Sequence, residues 1–327
     1  MALPFGALLV TMAAAPLVCA GWWERNYGKF AGALGTITLG YYLLGLHAYG
    51  PVLHTAGEYL SFIVLIGSLF IVAGGIHLRV PGVATPLANT AFLLVGALVA
   101  NLLGTTGAAV LLIRPWLRMN RHRVAAHHVV FFIFVVANVG GCLTPVGDPP
   151  LFLGYLKGIP FWWVARECGS VWLVGTLILL AEFYVLDYRS WAHATRPAAP
   201  IEAGGPEGRW QLDGACNLAF LGLILIAVFI QHPPLLREAL MAGAALGSSY
   251  ATRPSVRAAN QFSLRPLIEV AVLFAGVFAT MLPALQWLEW RAAHASGLTP
   301  SFFYWATGVL SSVLDNAPTY LGSLSAV

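Results

Sequence analysis

Two helix-breaking stretches lie inside the most apolar parts of the chain: Thr144-Pro145-Val146-Gly147-Asp148-Pro149-Pro150 and Leu314-Asp315-Asn316-Ala317-Pro318. Each sets one carboxylate, free backbone groups and a proline where a lipid-spanning helix would otherwise run on. In hydrocarbon, irregular backbone and a buried acid survive only where they line a protein cavity or hold an ion. Around the first break, Asn138, Gly140, Gly141, Thr144, Pro145, Gly147 and Asp148 crowd together. Pro149 and Pro150 bring no N–H, so carbonyls of the preceding turn lose their helical partners. Those oxygens, with Asn138, Thr144 and the Asp148 carboxylate, form the all-oxygen environment that hard cations such as Na⁺ prefer. The plainer alternative is that Asp148 caps a helix or lies at the membrane surface near Lys157.

Gly104-Thr105-Thr106-Gly107 offers two hydroxyls and unpaired amides in another apolar run. Such a tip can hold an ion or an anion, although small residues also serve close helix packing. Asp315-Asn316-Ala317-Pro318-Thr319 follows Leu310-Ser311-Ser312-Val313-Leu314. Asp or Asn ahead of a first-turn proline is ordinary capping, and a cap at mid-membrane is how a discontinuous helix builds a site. The candidate ion or substrate residues are therefore Gly104, Thr105, Thr106, Gly107, Asn138, Thr144, Pro145, Gly147, Asp148, Asp315, Asn316 and Thr319, with Asp148 and Asp315 as Na⁺ ligands. Glu182 and Glu269, near Arg189 and Arg265, read as surface pairs, and Glu58 reads as interfacial. His127-His128 follows a basic loop. Adjacent helical residues do not share a face, which favours an interfacial role over a metal site. No His-Glu-x-x-His motif and no Gly-x-Ser-x-Gly elbow occurs, so an enzyme is not expected.

The elements that position these residues must be membrane helices. Of the 327 residues, 59% are hydrophobic and 9% charged, and the mean hydropathy is +0.78. An average soluble domain is about 25% charged. The apolar segments lack the alternation of roughly ten residues that marks outer-membrane barrels. The fold class is an all-α polytopic membrane protein, placed in the inner (plasma) membrane with the lipid bilayer as its partner. The net charge of +4 is spread over short loops, which speaks against nucleic acid. Cys19, Cys142, Cys168 and Cys216 show no paired metal spacing, and no cofactor is expected; Na⁺ and H⁺ are read as cargo.

Candidate spans are 2–21, 29–46, 59–78, 168–187, 214–231, 235–251 and 267–288, with interrupted apolar stretches at 87–113, 127–157 and 301–327. Positive residues stay cytoplasmic, so the loops with Arg25, Arg79, Arg114–Arg123 and Arg253–Arg265 face in and the His47–Gly57 loop faces out. Arg79 and Arg114 then share a side although an apolar stretch separates them. A re-entrant hairpin resolves this: 87–103 enters, turns at Gly104 to Gly107 and returns. Stretch 301–327 enters from the opposite face and turns near Asp315. This is the geometry of inverted-topology repeats with re-entrant hairpins and a broken helix. The first half is 1–187, carrying hairpin 87–113 and broken helix 127–157; 188–213, with Pro197, Pro200, Gly204, Gly205 and Pro206, is a cytoplasmic linker; and 214–327 is the second half.

At these motifs the chain resembles the sodium:proton antiporter (NhaD-type) branch of the ion transporter superfamily, which also contains arsenite-pump membrane subunits and citrate or dicarboxylate transporters. The matching stretches are Glu58-Tyr59 through Gly74-Gly75-Ile76, Gly104-Thr105-Thr106-Gly107-Ala108 through Leu112-Ile113-Arg114-Pro115, Asn138-Val139-Gly140-Gly141 through Phe152-Leu153-Gly154, and Leu314 through Leu321. The resemblance implies inverted repeats, elevator-type alternating access, a homodimer, and ion binding at Gly104 to Gly107, Thr144 to Pro150 and Asp315 to Thr319. Members of the resembling group usually continue with a second broken helix beyond the Asp-Asn-Ala-Pro motif. Against them the second half reads as truncated within or just after its hairpin. The leading expectation is a secondary transporter exchanging Na⁺ for H⁺. The alternatives are Na⁺-coupled transport of citrate or another organic anion, and, in another class, a non-transporting truncated membrane subunit.

Overall fold

A computed structural model describes residues 3–79, 85–193, 211–294, 299–313 and 316–325. In chain order the elements are α1 (Leu3–Val18), α2 (Ala20–Gly40, continued by a π-helical turn Tyr41–Gly45), α3 (Tyr49–Ala73), β1 (His77–Arg79), α4 (Pro86–Met119), α5 (Ala126–Val135), a 3₁₀ turn Val139–Gly141, α6 (Pro149–Leu156), α7 (Trp163–His193), β2 (Gln211–Asp213), α8 (Asn217–Ala227), α9 (Leu236–Ala251), α10 (Pro254–Ala259), α11 (Arg265–His294), α12 (Pro300–Val313) and α13 (Asn316–Ser325). The protein is an all-α polytopic membrane protein. Among the described residues four helices are long and apolar enough to cross a membrane: Tyr49–Ala73, Pro86–Met119, Trp163–His193 and Arg265–Leu288.

The chain forms two compact units. One comprises Met1–Ile63, Leu156–Gly158 and Leu264–Val327, and the other Val64–Tyr155 and Ile159–Ser263. In the first unit α2 packs on α11 through small residues. A Cβ on Gly276 would lie 2.7 Å from the Ala31 Cβ, and one on Gly35 would lie 3.2 Å from the Ala279 Cβ. One turn further along, a Cβ on Gly28 would meet Val272 at 3.1 Å. Lipid tails are as apolar as leucine, so membrane helices associate by this close backbone approach rather than by a hydrophobic drive. Gly276→Leu should therefore force α2 and α11 apart and cost about 1–3 kcal/mol or more. A lower melting temperature of the purified protein in detergent is the expected result, and an unchanged melt would refute it.

In the second unit α4 is not one rod. Gly104 sits at φ 73°, ψ 154°, a conformation open to glycine and strained for other residues. A straight helix would hold Asn89 and Asn120, 31 residues apart, about 46 Å from one another. Instead the Asn89 Nδ2 donates to Asn120 Oδ1 at 2.8 Å, and Phe92 stacks on Trp116 with ring centroids 5.5 Å apart. The helix doubles back at Gly104, where the charge pattern demanded a hairpin. The arms pack on α5 and α7 through Leu93, Ala97, Trp116, Phe132, Val135 and Phe183, all nearly or fully buried. In the first unit α12 and α13 also run back along each other, since the Thr307 and Ser323 hydroxyls are 2.8 Å apart across 16 residues.

Three local features differ from the expected spans. The loop expected at Arg25 is helix, since α2 runs unbroken from Ala20 through Arg25 and Lys29. The helix expected over 59–78 begins at Tyr49 and stops at Ala73. Gly74-Gly75 ends it, and the freed carbonyls are taken by two buried amides. Asn217 Nδ2 donates to the Gly75 carbonyl at 2.8 Å. Asn260 Nδ2 donates to the carbonyls of Gly74 and Ile76 at 3.0 and 2.7 Å. The segment then pairs as β1 with β2 in antiparallel register, His77 opposite Asp213, and Arg79 bonds Asp213 at 3.1 Å. In the segment expected as a linker, α7 continues to His193 and 211–213 forms β2. Residues 194–210 lie outside the described residues.

Candidate functional site

The hairpin tip and the broken helix interlock. Between α5 and α6 the chain passes through the 3₁₀ turn Val139–Gly141 and a series of turns to Asp148. Asn101, buried one turn before the tip of α4, holds this segment. Its Nδ2 donates to the Gly140 carbonyl at 2.6 Å and to Ala97 at 3.1 Å. Its Oδ1 accepts from the Leu143 N–H at 3.1 Å, and its carbonyl accepts from the Thr144 hydroxyl at 2.6 Å. Beyond the tip, the Thr105 N–H donates to the Gly147 carbonyl at 3.1 Å. The backbones touch: a Cβ on Gly147 would sit 2.2 Å from the Gly141 carbonyl oxygen, and one on Gly140 would sit 2.5 Å from that of Val135. Only glycine fits such an approach.

The prolines act as their chemistry requires. Pro149 and Pro150 open α6 without N–H groups, and the Pro145 and Val146 carbonyls accept no hydrogen bond from the described residues. The Val146 oxygen lies 3.3 Å from where a Cβ on Gly104 would be, so it faces the hairpin tip. The Asp148 carbonyl accepts from Leu151 and Phe152 at 3.1 and 3.3 Å, which puts Asp148 at the N-cap position of α6. Its half-buried carboxylate therefore stands where the helix end favours negative charge.

The structure brings Gly104, Thr105, Thr144, Pro145, Gly147 and Asp148 into one neighbourhood. Thr144 is 8% exposed, its hydroxyl accepting from the Gly147 N–H as it donates to Asn101. Thr106 and Asn138 are exposed at its edge, while Gly107 is buried against Ala73 and Leu69. Asn316 and Thr319 belong to the other compact unit. There Asn316 is exposed, its Oδ1 accepting from Ser311 at 3.0 Å, and Thr319 is 5% exposed. Asp315 lies outside the described residues.

Sequence reasoning missed Asn101. Its signal was an amide in an apolar run, three residues ahead of Gly104. It also missed a second buried cluster at the open end of the hairpin. Asp187 on α7 is fully buried. Arg123 contacts both its oxygens, with Nη2 3.0 Å from Oδ2 and Nη1 on Oδ1. Asn89 donates to Oδ2 at 2.8 Å, and the Nε2 atoms of His127 and His128 lie 3.3 and 3.1 Å from Oδ1. The two imidazoles expected on different faces thus converge on one carboxylate, their rings 4.1 Å apart at the first turn of α5. Among the described residues this is the one His/Cys/Asp/Glu group with metal-like spacing. Two features make it a clasp instead. Arg123 already neutralises Asp187. His128 Nδ1 accepts the Ala125 N–H at 3.2 Å, which leaves the proton on Nε2, the atom a metal would need bare.

A sequence-family model described as putative citrate transport matches residues 1–326. No curated protein and no solved structure matches the chain.

Proposed function

Since the chain belongs to the putative citrate transport family, we propose that it is a secondary active carrier whose cargo meets the protein at the hairpin tip and helix break. The chain is a multi-pass membrane protein, and its place in the plasma membrane is part of the proposal. The observation that carries the reading is the interlock itself. The Val146 oxygen faces the Gly104 turn, the Pro145 and Val146 carbonyls accept no hydrogen bond from the described residues, and Asp148 follows at the N-cap of α6, inside an apolar bundle. Oxygen groups of this kind suit a hard cation. The hydroxyls and amides of Thr105, Thr106 and Asn138 at the edge suit a carboxylate.

Charge arithmetic joins the two. A polycarboxylate entering a site that already holds Asp148 needs co-bound cations or protons to offset the added negative charge. We read citrate or a related organic anion as cargo and Na⁺ or H⁺ as the coupling ion. Plain Na⁺/H⁺ exchange is the second reading, favoured by the carboxylate and bare carbonyls alone. Asp148, and Asp315 in the second break, would then alternate between proton and cation.

The test uses proteoliposomes with radiolabelled citrate, with and without an inward Na⁺ gradient, and a parallel measurement of pH-driven Na⁺ efflux. Na⁺-dependent citrate uptake supports the first reading, and Na⁺ efflux without citrate movement supports the second. Asp148→Asn should lower the coupled flux at least about tenfold, since that loss corresponds to about 1.4 kcal/mol. Undiminished flux in that variant removes Asp148 from the mechanism. No flux of either kind would return the chain to a non-transporting role.

A further inference from the structure

Within the first unit, a half-open cavity of about 240 Å³ lies between α3 and α11, lined by Pro51, His54, Thr55, Glu58, Met281, Leu282, Leu285 and Gln286, with Lys157 closing one side. We propose that this cavity binds a small zwitterion of the phosphoethanolamine type, its ammonium on Glu58 and its phosphate on Lys157.

Three observations lead there. First, the Glu58 side chain is only 11% exposed, yet its carboxylate accepts no hydrogen bond from the described residues; Lys157 and His54 each stand 3.8 Å away. That spacing is beyond hydrogen-bond length, so the acceptor and the ammonium are both left with capacity. Secondly, unused donors converge on the same space. The Gln286 Oε1 is taken by the Tyr42 hydroxyl at 2.5 Å, and neither its NH₂ nor the Thr55 hydroxyl has a partner among the described residues. Thirdly, Met281, Leu282 and Leu285 make an apolar floor.

The charge pattern selects the ligand. A lone anion on Lys157 would meet the Glu58 carboxylate, and a lone cation on Glu58 would meet the Lys157 ammonium. A molecule carrying both charges meets neither repulsion. The volume corresponds to about eight water-sized groups at about 30 Å³ each, the size of a phosphoethanolamine unit. Lys157 follows directly on the end of α6, and Glu58 lies in the first half of α3, so the cavity is within reach of the zone where phospholipid headgroups meet the hydrocarbon. The same chemistry could come from such a headgroup or from a free compound in solution.

The experiment titrates O-phosphoethanolamine, ethanolamine and inorganic phosphate into the purified full chain in detergent, by calorimetry. The zwitterion is expected to bind at least about tenfold more tightly than either half. Glu58→Gln and Lys157→Met should each weaken it by about tenfold or more, and Gln286→Ala, which disturbs no ion pair, by several-fold. Native mass spectrometry from vesicles of phosphatidylethanolamine or phosphatidylglycerol then identifies the source. Retained phosphatidylethanolamine displaced by the free compound marks the headgroup, and binding of the free compound alone marks a soluble ligand. Phosphate binding as tightly as the zwitterion, no binding of either source, or wild-type affinity in Gln286→Ala together with either charge variant overturns the proposal. Failure here leaves the carrier reading untouched, because none of these residues belongs to the hairpin–break site.

Discussion

Replacing Asp187 with asparagine will destabilise the folded protein by about 3–5 kcal/mol, the range for removing one partner of a buried ion pair. Asp187 is fully buried and the Arg123 side chain is 11% exposed, so the guanidinium cannot recover its hydration when its partner is neutralised. The loss spreads further than one pair. Asn89 donates to the same carboxylate and the His127 and His128 Nε2 atoms stand 3.3 and 3.1 Å from it, and an asparagine NH₂ would face Asn89 and the guanidinium with a donor of its own. Because Asn89 also bonds Asn120 across the hairpin, the clasp holds both arms of α4 at their open end. Desolvating two charges is costly even when they pair, so a double change to apolar residues of similar size should do less harm than the single one. The expected order of stability is wild type, then Asp187→Leu with Arg123→Met, then Asp187→Asn. Thermal unfolding of the purified protein in detergent reads it. A single variant as stable as wild type would show that the clasp contributes nothing to the hold.

The legible part of this structure was the part written in charge and backbone chemistry. Arg79 and Arg114 on one side of an apolar stretch required a hairpin, and Gly104 was the residue able to turn it. Pro149 and Pro150 announced that the Pro145 and Val146 carbonyls would accept no hydrogen bond from the described residues, because proline's missing N–H is a local fact. What sequence could not show depends on partners far along the chain. Asn217 and Asn260 catch the carbonyls of Gly74 to Ile76 from more than 140 residues away. Asp187 meets Arg123 across 64 positions. The helical rule that adjacent histidines diverge misled for a related reason. It describes directions on an isolated helix, whereas His127 and His128 stand at the start of α5 and both reach the same oxygen of a neighbouring helix.

Asn101 offers the sharpest test of the site itself. Its side chain joins the hairpin to the break through one donor bond to Gly140, buried, and one acceptor bond from Leu143, part-buried. Asn101→Leu keeps the volume and removes both bonds, stranding a carbonyl and an N–H at a cost of about 1–3 kcal/mol each. Asn101→Asp is the more informative change. A carboxylate can still accept from Leu143, but it has nothing to donate to the Gly140 and Ala97 carbonyls and instead repels them. If the pairing of tip and break builds the cargo site, both variants will lose transport by at least about tenfold, and Asp will be no better than Leu despite its retained acceptor. Binding of cargo and coupling ion, measured by calorimetry on protein that is still folded, should weaken in parallel. Wild-type flux in Asn101→Asp would mean that the break keeps its shape without the amide. The bare carbonyls of Pro145 and Val146 would then be positioned by the glycine contacts between Gly141 and Gly147 alone.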